Sequence, residues 1–434
     1  MKSSANMAVT LGTGDRAGSV SWLCSAILVA LVIVSFGDIT PALLPASFPE
    51  WSQQAITLVL WLTLAVMTTA AAPSVSCSVD PADVLLMGAF YGLPIVSFIW
   101  SADPTASAPK CLALAVTTLS VWQCAMRIPF QEYARCASIG LSILLLFSVF
   151  LAILVPNIGL MHDWEHAGAW SGVFAQKQSL GIAAALLALF SINLFCHTRR
   201  LLFLAEFLLS IIVTLGSTSR GSLVIITLAT AVSLLLWLGR STWPHRLASI
   251  SPVIIVGAAT FLIIYLGASG ATELQLLGYE TDISSRTVIW QHGLSYWTDA
   301  PILGSGLDAF WQNEIYYLPF LAAQDWVLTD FHSGYLEILI ETGIAGYVLM
   351  VLVTLRLSAG LNNVPFGSFA FPTTAVFMLV FYILNISETF FLRSTNFVQL
   401  TFLFLMMNVI IRSETSNSSV SESSDLQKLS GVRL

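Results

Sequence analysis

A membrane-spanning helix needs about 20 mostly apolar residues, and this chain divides into such runs almost from end to end. They fall near residues 20-37, 53-72, 83-100, 110-126, 136-155, 178-196, 201-216, 221-239, 249-268, 333-355, 369-386 and 396-411. Only 9% of the residues are charged and 56% are hydrophobic, against about a quarter charged in an ordinary soluble domain. Lipid rather than water is therefore the main solvent. The expected fold is all-α, a polytopic transmembrane bundle of about twelve helices. The first run ends at Phe36-Gly37, is followed by Asp38 and lacks a small-residue cleavage site, so it reads as an uncleaved anchor.

Orientation follows from the cations, because cytoplasmic loops retain Lys and Arg. With the N-terminus inside, the cytoplasmic segments hold Lys2, Arg16, Arg127, Arg135, Arg199, Arg200, Arg240, Arg246, Arg356, Arg412, Lys428 and Arg433, twelve of the seventeen. The other five, Lys110, Lys177, Arg220, Arg286 and Arg393, fall outside, against the bias. This gives a cytoplasmic segment over 1-19, helices one to nine over 20-268, a long periplasmic loop over 269-332, helices ten to twelve over 333-412, and a Ser-rich disordered tail over 413-434. The net charge of −7 and the scattered cations exclude a basic stripe for nucleic acid. Five of the six cysteines lie in spans or toward the cytoplasm, so no disulfide is expected. No metal-type Cys/His spacing occurs, and neither a metal nor a cofactor is expected.

Most connections are short. The exception is 269-332, whose length suggests a functional loop or lid. Ser284 and Ser285 precede Arg286-Thr287-Val288-Ile289-Trp290, and Pro301 follows, which predicts a capped helix. Leu303-Gly304-Ser305-Gly306 supplies a turn where backbone could approach a ligand. Tryptophans such as Trp290, Trp297, Trp311 and Trp326 could stack on sugar rings, although an aromatic belt at the membrane surface explains most of them. Gly88 and Gly92 have the spacing of close helix packing.

The strongest local signal is His332-Ser333-Gly334-Tyr335-Leu336-Glu337, continuing through Glu341-Thr342-Gly343 to Gly346. It sets a histidine where the long loop enters a membrane helix, and an imidazole titrates near neutrality. Glu337 and Glu341 share a helix face; His332 is off that face by helical spacing, so its orienting carboxylate stays unnamed. An interfacial histidine holding one hydrogen bond is the plainer alternative. Arg220, in Gly216-Ser217-Thr218-Ser219-Arg220-Gly221-Ser222, and Arg286 both put a cation at the positive end of a helix. That position is unfavourable alone and suited to an anion such as diphosphate. Snorkelling or surface pairing would explain either arginine singly. Lys177 lies at another loop-to-helix junction and could contact phosphate or a sugar hydroxyl, or serve as an anchor; Arg393, with Glu388 near it, is more ambiguous.

These segments together resemble the O-antigen ligase and polysaccharide polymerase superfamily of bacterial envelopes. The resemblance runs through Leu93-Pro94, Trp100-Ser101-Ala102-Asp103-Pro104, Trp170 to Gly181, Ser219-Arg220, Ser285-Arg286 to Trp290, Pro301 to Gly306, and His332 to Gly346. The Trp170 to Gly181 stretch is most like exopolysaccharide polymerases, with Gln176-Lys177-Gln178 where His-Lys-Asn is usual and Ser333 where Asn often follows the histidine. The resemblance implies a metal-independent, inverting glycosyltransferase of the bacterial inner membrane. Its donor would be glycan on undecaprenyl diphosphate, its acceptor a sugar hydroxyl, and other polysaccharide assembly proteins would be partners beside the lipid bilayer. Arg220 and Arg286 would hold diphosphate and His332 would assist the acceptor, with Lys177 and Glu341 as further substrate contacts. A polymerase role is the first expectation, with O-antigen ligation to lipid A-core as the alternative. A transporter or flippase should show intramembrane charges, broken helices and a repeat, and an acyltransferase would need no pair of outside arginines.

Overall fold

A computed structural model describes residues 22–36, 51–71, 80–164, 166–239, 242–269, 273–276, 279–282, 284–325 and 327–410. The terminal segments 1-19 and 413-434, together with Cys77 and Trp326, lie outside the described residues. The helices are α1 (Trp22–Val34), α2 (Trp51–Ala71), α3 (Pro81–Val96), α4 (Pro104–Ala125), α5 (Phe130–Leu154), α6 (Lys177–Thr198), α7 (Leu201–Ser217), α8 (Arg220–Leu238) and α9 (Trp243–Ser269). After them come α10 (Ser284–Trp297), α11 (Glu314–Gln324), α12 (Gly334–Leu361), α13 (Ala370–Ser387) and α14 (Phe397–Ile410).

The described part of each of the twelve apolar runs is thus mainly helical. Eight of the helices, α2, α3, α5, α6, α8, α9, α12 and α13, are long and apolar enough to cross a membrane, and α1, α7 and α14 are shorter apolar helices. The helix α4 falls short on composition, since Pro109, Lys110 and a run of Ser and Thr dilute it. Its start is fixed by Asp103, whose carboxylate accepts from the amides of Thr105 and Ala106. The centre of the bundle is α6, apolar all round and almost wholly buried among α5, α7, α8 and α13. Small residues at Ala183-Ala184-Ala185 let those neighbours approach closely. Outward faces of the bundle expose Leu146, Ile212, Val224 and Phe261, the surface expected toward lipid.

The helix ends segregate into two sets. One end joins the close of α12 to the start of α3 through Arg356 and Asp83, and the close of α6 to the start of α13 through His197 and Phe369. The other joins the turn before α4 to the long loop, where Asn313 donates to the Ala102 carbonyl at 2.7 Å. Among the described residues Arg127, Arg135, Arg199, Arg200, Arg246 and Arg356 lie at the first end, and Lys110, Lys177, Arg220, Arg286 and Arg393 at the second. The two groups of cations do not mix.

The long loop is not purely helical. Its first part is an antiparallel ribbon of β1 (Glu273–Leu276) and β2 (Tyr279–Asp282), pairing Glu273 with Asp282, an element the apolar pattern does not announce. The predicted loop helix is present as α10. Trp290 and Trp311 are neither belt residues nor open sugar platforms: both are buried in the loop's own aromatic core with His292, Phe310, Phe320 and Phe331. The indole of Trp290 donates to the Phe331 carbonyl at 3.0 Å.

Where the loop re-enters the bundle it is stitched into a break in α12. Gly343 leaves helical geometry there (φ 65°, ψ −168°). The freed carbonyls of Ile340 and Glu341 accept from the amides of Ser305 and Gly306, both at 2.9 Å, while the amides of Ile344 and Ala345 donate to the carbonyls of Pro301 and Ile302. Four backbone groups at the break are thereby satisfied, as a membrane interior demands. Gly304 (φ 72°) and Gly306 (φ 97°) are needed because a Cβ at either would collide with Glu341 or Ser101. The glycine turn approaches the protein's own backbone, not a ligand. Gly88 and Gly92 likewise depart from expectation, since a Cβ on either meets no atom within 4 Å.

Candidate active site

Three of the five cations at the second end converge. Lys177 opens α6, Arg220 opens α8 and Arg286 lies in the first turn of α10. A left-handed turn at Thr218 (φ 53°) ends α7 and starts α8 with almost no connection, which swings Arg220 to the same end as Lys177. All three line one cavity of about 670 Å3, with His166, Ser219, Ser222, Ser387 and Glu388 also in its wall. Arg286 is anchored by donating to the Ser387 carbonyl at 3.3 Å, while its buried Nε has no hydrogen-bond partner. The Lys177 ammonium lies 3.1 Å from Nδ1 of His166; an ammonium can only donate, so that nitrogen accepts. Among the described residues none of the three cations forms a salt bridge. With three cations in its wall, each in the first turn of a helix, the cavity has a chemistry suited to an anion.

The other two cations of that end have a different fate. Arg393 donates to Asp308 at 2.8 Å and to Glu337 at 2.7 Å, and Lys110 reaches the other Asp308 oxygen at 3.2 Å. Burial alone would lower the Arg393 pKa; the charges of Glu337, Asp308, Glu341 and Asp330 reverse this and hold it above its ordinary value. Glu341, only 3% exposed, accepts from the Asp308 amide at 2.8 Å. It does not line the cavity, so the structure places it in the clamp between loop and helix and away from the three cations.

His332 stands beside the cavity without being part of its wall. Its backbone is left-handed (φ 49°), and its side chain is 41% exposed. Asp330 supplies the partner that helical spacing could not name. One carboxylate oxygen lies 3.3 Å from His332 Nδ1 and accepts the His332 amide at 2.8 Å. The same oxygen accepts from the Thr389 hydroxyl, and Gly334 donates to the carbonyl of Glu388 at 3.0 Å. The histidine is thereby tied to the close of α13, which forms the cavity wall at Ser387 and Glu388. His166 was missed in the sequence because a lone histidine in a short loop carries no spacing signal; a small turn closed by Met161 and Ala169 delivers it to Lys177.

Comparison with known proteins follows the same residues. Residues 205–351 match the family described as O-Antigen ligase, a segment that includes Arg220, Arg286 and His332 but not Lys177 or Arg393. The chain is also similar to the exopolysaccharide production protein ExoQ of Rhizobium meliloti (strain 1021), 27% identical over 294 residues that cover 63% of this chain and 64% of that protein. The segment match, the relative, the many apolar helices and the motifs from Trp100 to Gly346 agree, and together they make the chain similar to the O-antigen ligase-like family of polytopic membrane proteins.

Proposed function

We propose that this protein is a membrane glycosyltransferase that moves glycan from undecaprenyl diphosphate to a sugar hydroxyl, acting as a surface polysaccharide polymerase on the periplasmic face of the inner membrane. The observation that carries the reading is the convergence of Lys177, Arg220 and Arg286 on one cavity, beside a histidine held by a carboxylate. Diphosphate is a good leaving group once its charge is stabilised, and fixed cations in a partly buried site do this without a metal ion. The bond between the anomeric carbon and the diphosphate oxygen breaks as the acceptor hydroxyl attacks from the opposite face, which inverts the configuration. The electron pair leaves with the diphosphate, and the hydroxyl proton passes to His332. Asp330 then faces the imidazolium across Nδ1 and stabilises it.

The name of the relative supports a polymer product, while the family description supports ligation of a finished chain to lipid A-core. Deleting the gene separates them: a polymerase loses long chains, a ligase leaves finished polymer on its carrier. The transporter alternative draws on the broken α12, but there the freed backbone groups pair with the loop instead of lining a path. Purified protein supplied with lipid-linked repeat units should convert them to longer lipid-linked glycan. Retention of every unit at its starting length, with the carrier intact, would overturn the proposal.

A further inference from the structure

At the end of the bundle opposite the candidate active site, α9 and α12 part and leave a cavity of about 790 Å3. Arg246, Ser249 and Ile250 line it from α9, and Leu355, Ser358 and Asn362 from α12 and its cap. Both sets recur at three or four residues and so share one helix face. Arg246 and Asn362 stand at the helix ends, with Ile250 and Leu355 deeper and about half exposed on the bundle surface. Two features of this groove lack a partner. Arg246 forms no ion pair among the described residues, whereas Arg356 at the same end is locked to Asp83 and Arg135 to Glu132. Ser358, 6% exposed, has a buried hydroxyl with no hydrogen-bond partner, although Thr354, one turn earlier in α12, bonds back to the Met350 carbonyl as helical hydroxyls commonly do.

We propose that this groove binds one acidic glycerophospholipid, its phosphodiester held by Arg246 and Ser358 and an acyl chain laid against Ile250 and Leu355. The cation and the unpartnered hydroxyl call for an anionic acceptor, and the apolar floor open to the bilayer calls for a hydrocarbon tail; basic pockets between spanning helices take such headgroups. A zwitterionic lipid brings the same phosphate but adds a cation beside Arg246. The placement has a structural consequence, because α9 leads into the long loop and α12 leads out of it. The two helices touch midway through the hydroxyls of Thr260 and Tyr347, so a lipid between their far ends fixes their separation.

The test uses the full-length protein in nanodiscs of phosphatidylcholine, with phosphatidylglycerol of the same acyl chains added, and counts retained lipid by native mass spectrometry. Wild type should retain phosphatidylglycerol over phosphatidylcholine by about tenfold, the ratio set by the cation that phosphatidylcholine alone brings beside Arg246. Arg246→Gln should abolish that preference. Arg200→Gln, which removes an exposed cation at the same end but outside the groove, should keep it. Ser358→Ala should fold at least as well, since alanine suits a helix and no satisfied bond is lost, yet should retain less of either lipid, because the phosphodiester it no longer holds is common to both. Equal retention of both lipids by wild type would overturn the proposal, as would an equal loss in Arg200→Gln and Arg246→Gln, or undiminished lipid retention in Ser358→Ala.

Discussion

At the residue scale the five cations of the cavity end divide by what they face. Lys110 and Arg393 meet carboxylates, and Lys177, Arg220 and Arg286 meet a cavity. Substitution should separate the two classes. Arg220→Ala and Arg286→Ala are expected to leave a folded protein and to weaken donor binding by about 10- to 100-fold each, the range of a charge-assisted contact to phosphate. Lysine at either position should rescue in part, because it restores charge without the planar two-point grip. Arg393→Ala should instead destabilise the fold, since breaking a buried ion pair from one side costs about 3–5 kcal/mol. Donor titration and thermal unfolding on the same preparations check both halves, and unchanged donor affinity in both cavity variants would remove the diphosphate site. For His332 the expected signature is kinetic. His332→Ala should bind donor nearly normally and transfer it roughly two to four orders of magnitude more slowly. Asp330→Asn should retain the histidine and lose part of its rate. Single-turnover transfer at equal amounts of folded protein measures this, and a normal rate in folded His332→Ala would return the residue to a structural role.

At the element scale the long loop is a folded unit held together by its aromatic core, and that core contains a titrating group. His292 donates through Nε2 to the Tyr316 carbonyl at 2.7 Å and packs on Trp311 and Phe320. Burial lowers its pKa. The unfolded loop therefore binds a proton more readily than the folded one, so the histidine's contribution is intact above the ordinary value of about 6.5 and declines as pH falls below it. Limited proteolysis of the loop should accelerate between neutral and mildly acidic pH, and His292→Phe should flatten that dependence; an unchanged profile in the variant would contradict it. The sequence disclosed much of this element and stopped at a definite place. The Ser284-Ser285 start and Pro301 stop of α10 are local chemistry, and α10 runs Ser284–Trp297 as they predict. The stitching of residues 301–306 into α12 is not local. It joins Gly304 and Gly343 across 39 positions, and each glycine alone reads as an ordinary turn. Asp330 escaped for a related reason: it reaches His332 through a left-handed backbone, where helical spacing gives no guidance. Lys177, Arg220 and Arg286 were legible because a cation at a helix start opposes two general preferences at once.

At the scale of the whole molecule, the segregation of cations between the two ends turns a composition bias into an orientation. The six described arginines of one end include Arg246, which forms no ion pair among the described residues, and the capping Arg199 and Arg200, and the cavity between α9 and α12 at that end is lined by one cation. The five cations of the other end are each absorbed by a carboxylate network or the candidate site. Cations retained for topology need no partner, and cations translocated against the bias need a use, so the cavity end is expected outside. Glu314, exposed at the start of α11, and Asn363, exposed just beyond α12, mark the two ends. The five described cysteines are buried thiols, so replacing Cys77 by serine leaves a quiet background for labelling. Glu314→Cys in that background should react with a membrane-impermeant maleimide in intact spheroplasts and resist it in sealed inverted vesicles. Asn363→Cys should do the reverse. The pair is informative because a leaky preparation labels both sites in both samples and is recognised as such. Labelling of Glu314→Cys only in inverted vesicles would turn the molecule over. The three cavity cations would then face the cytoplasm, where the topological bias alone accounts for them, and the argument that they are kept for a diphosphate would lose its foundation.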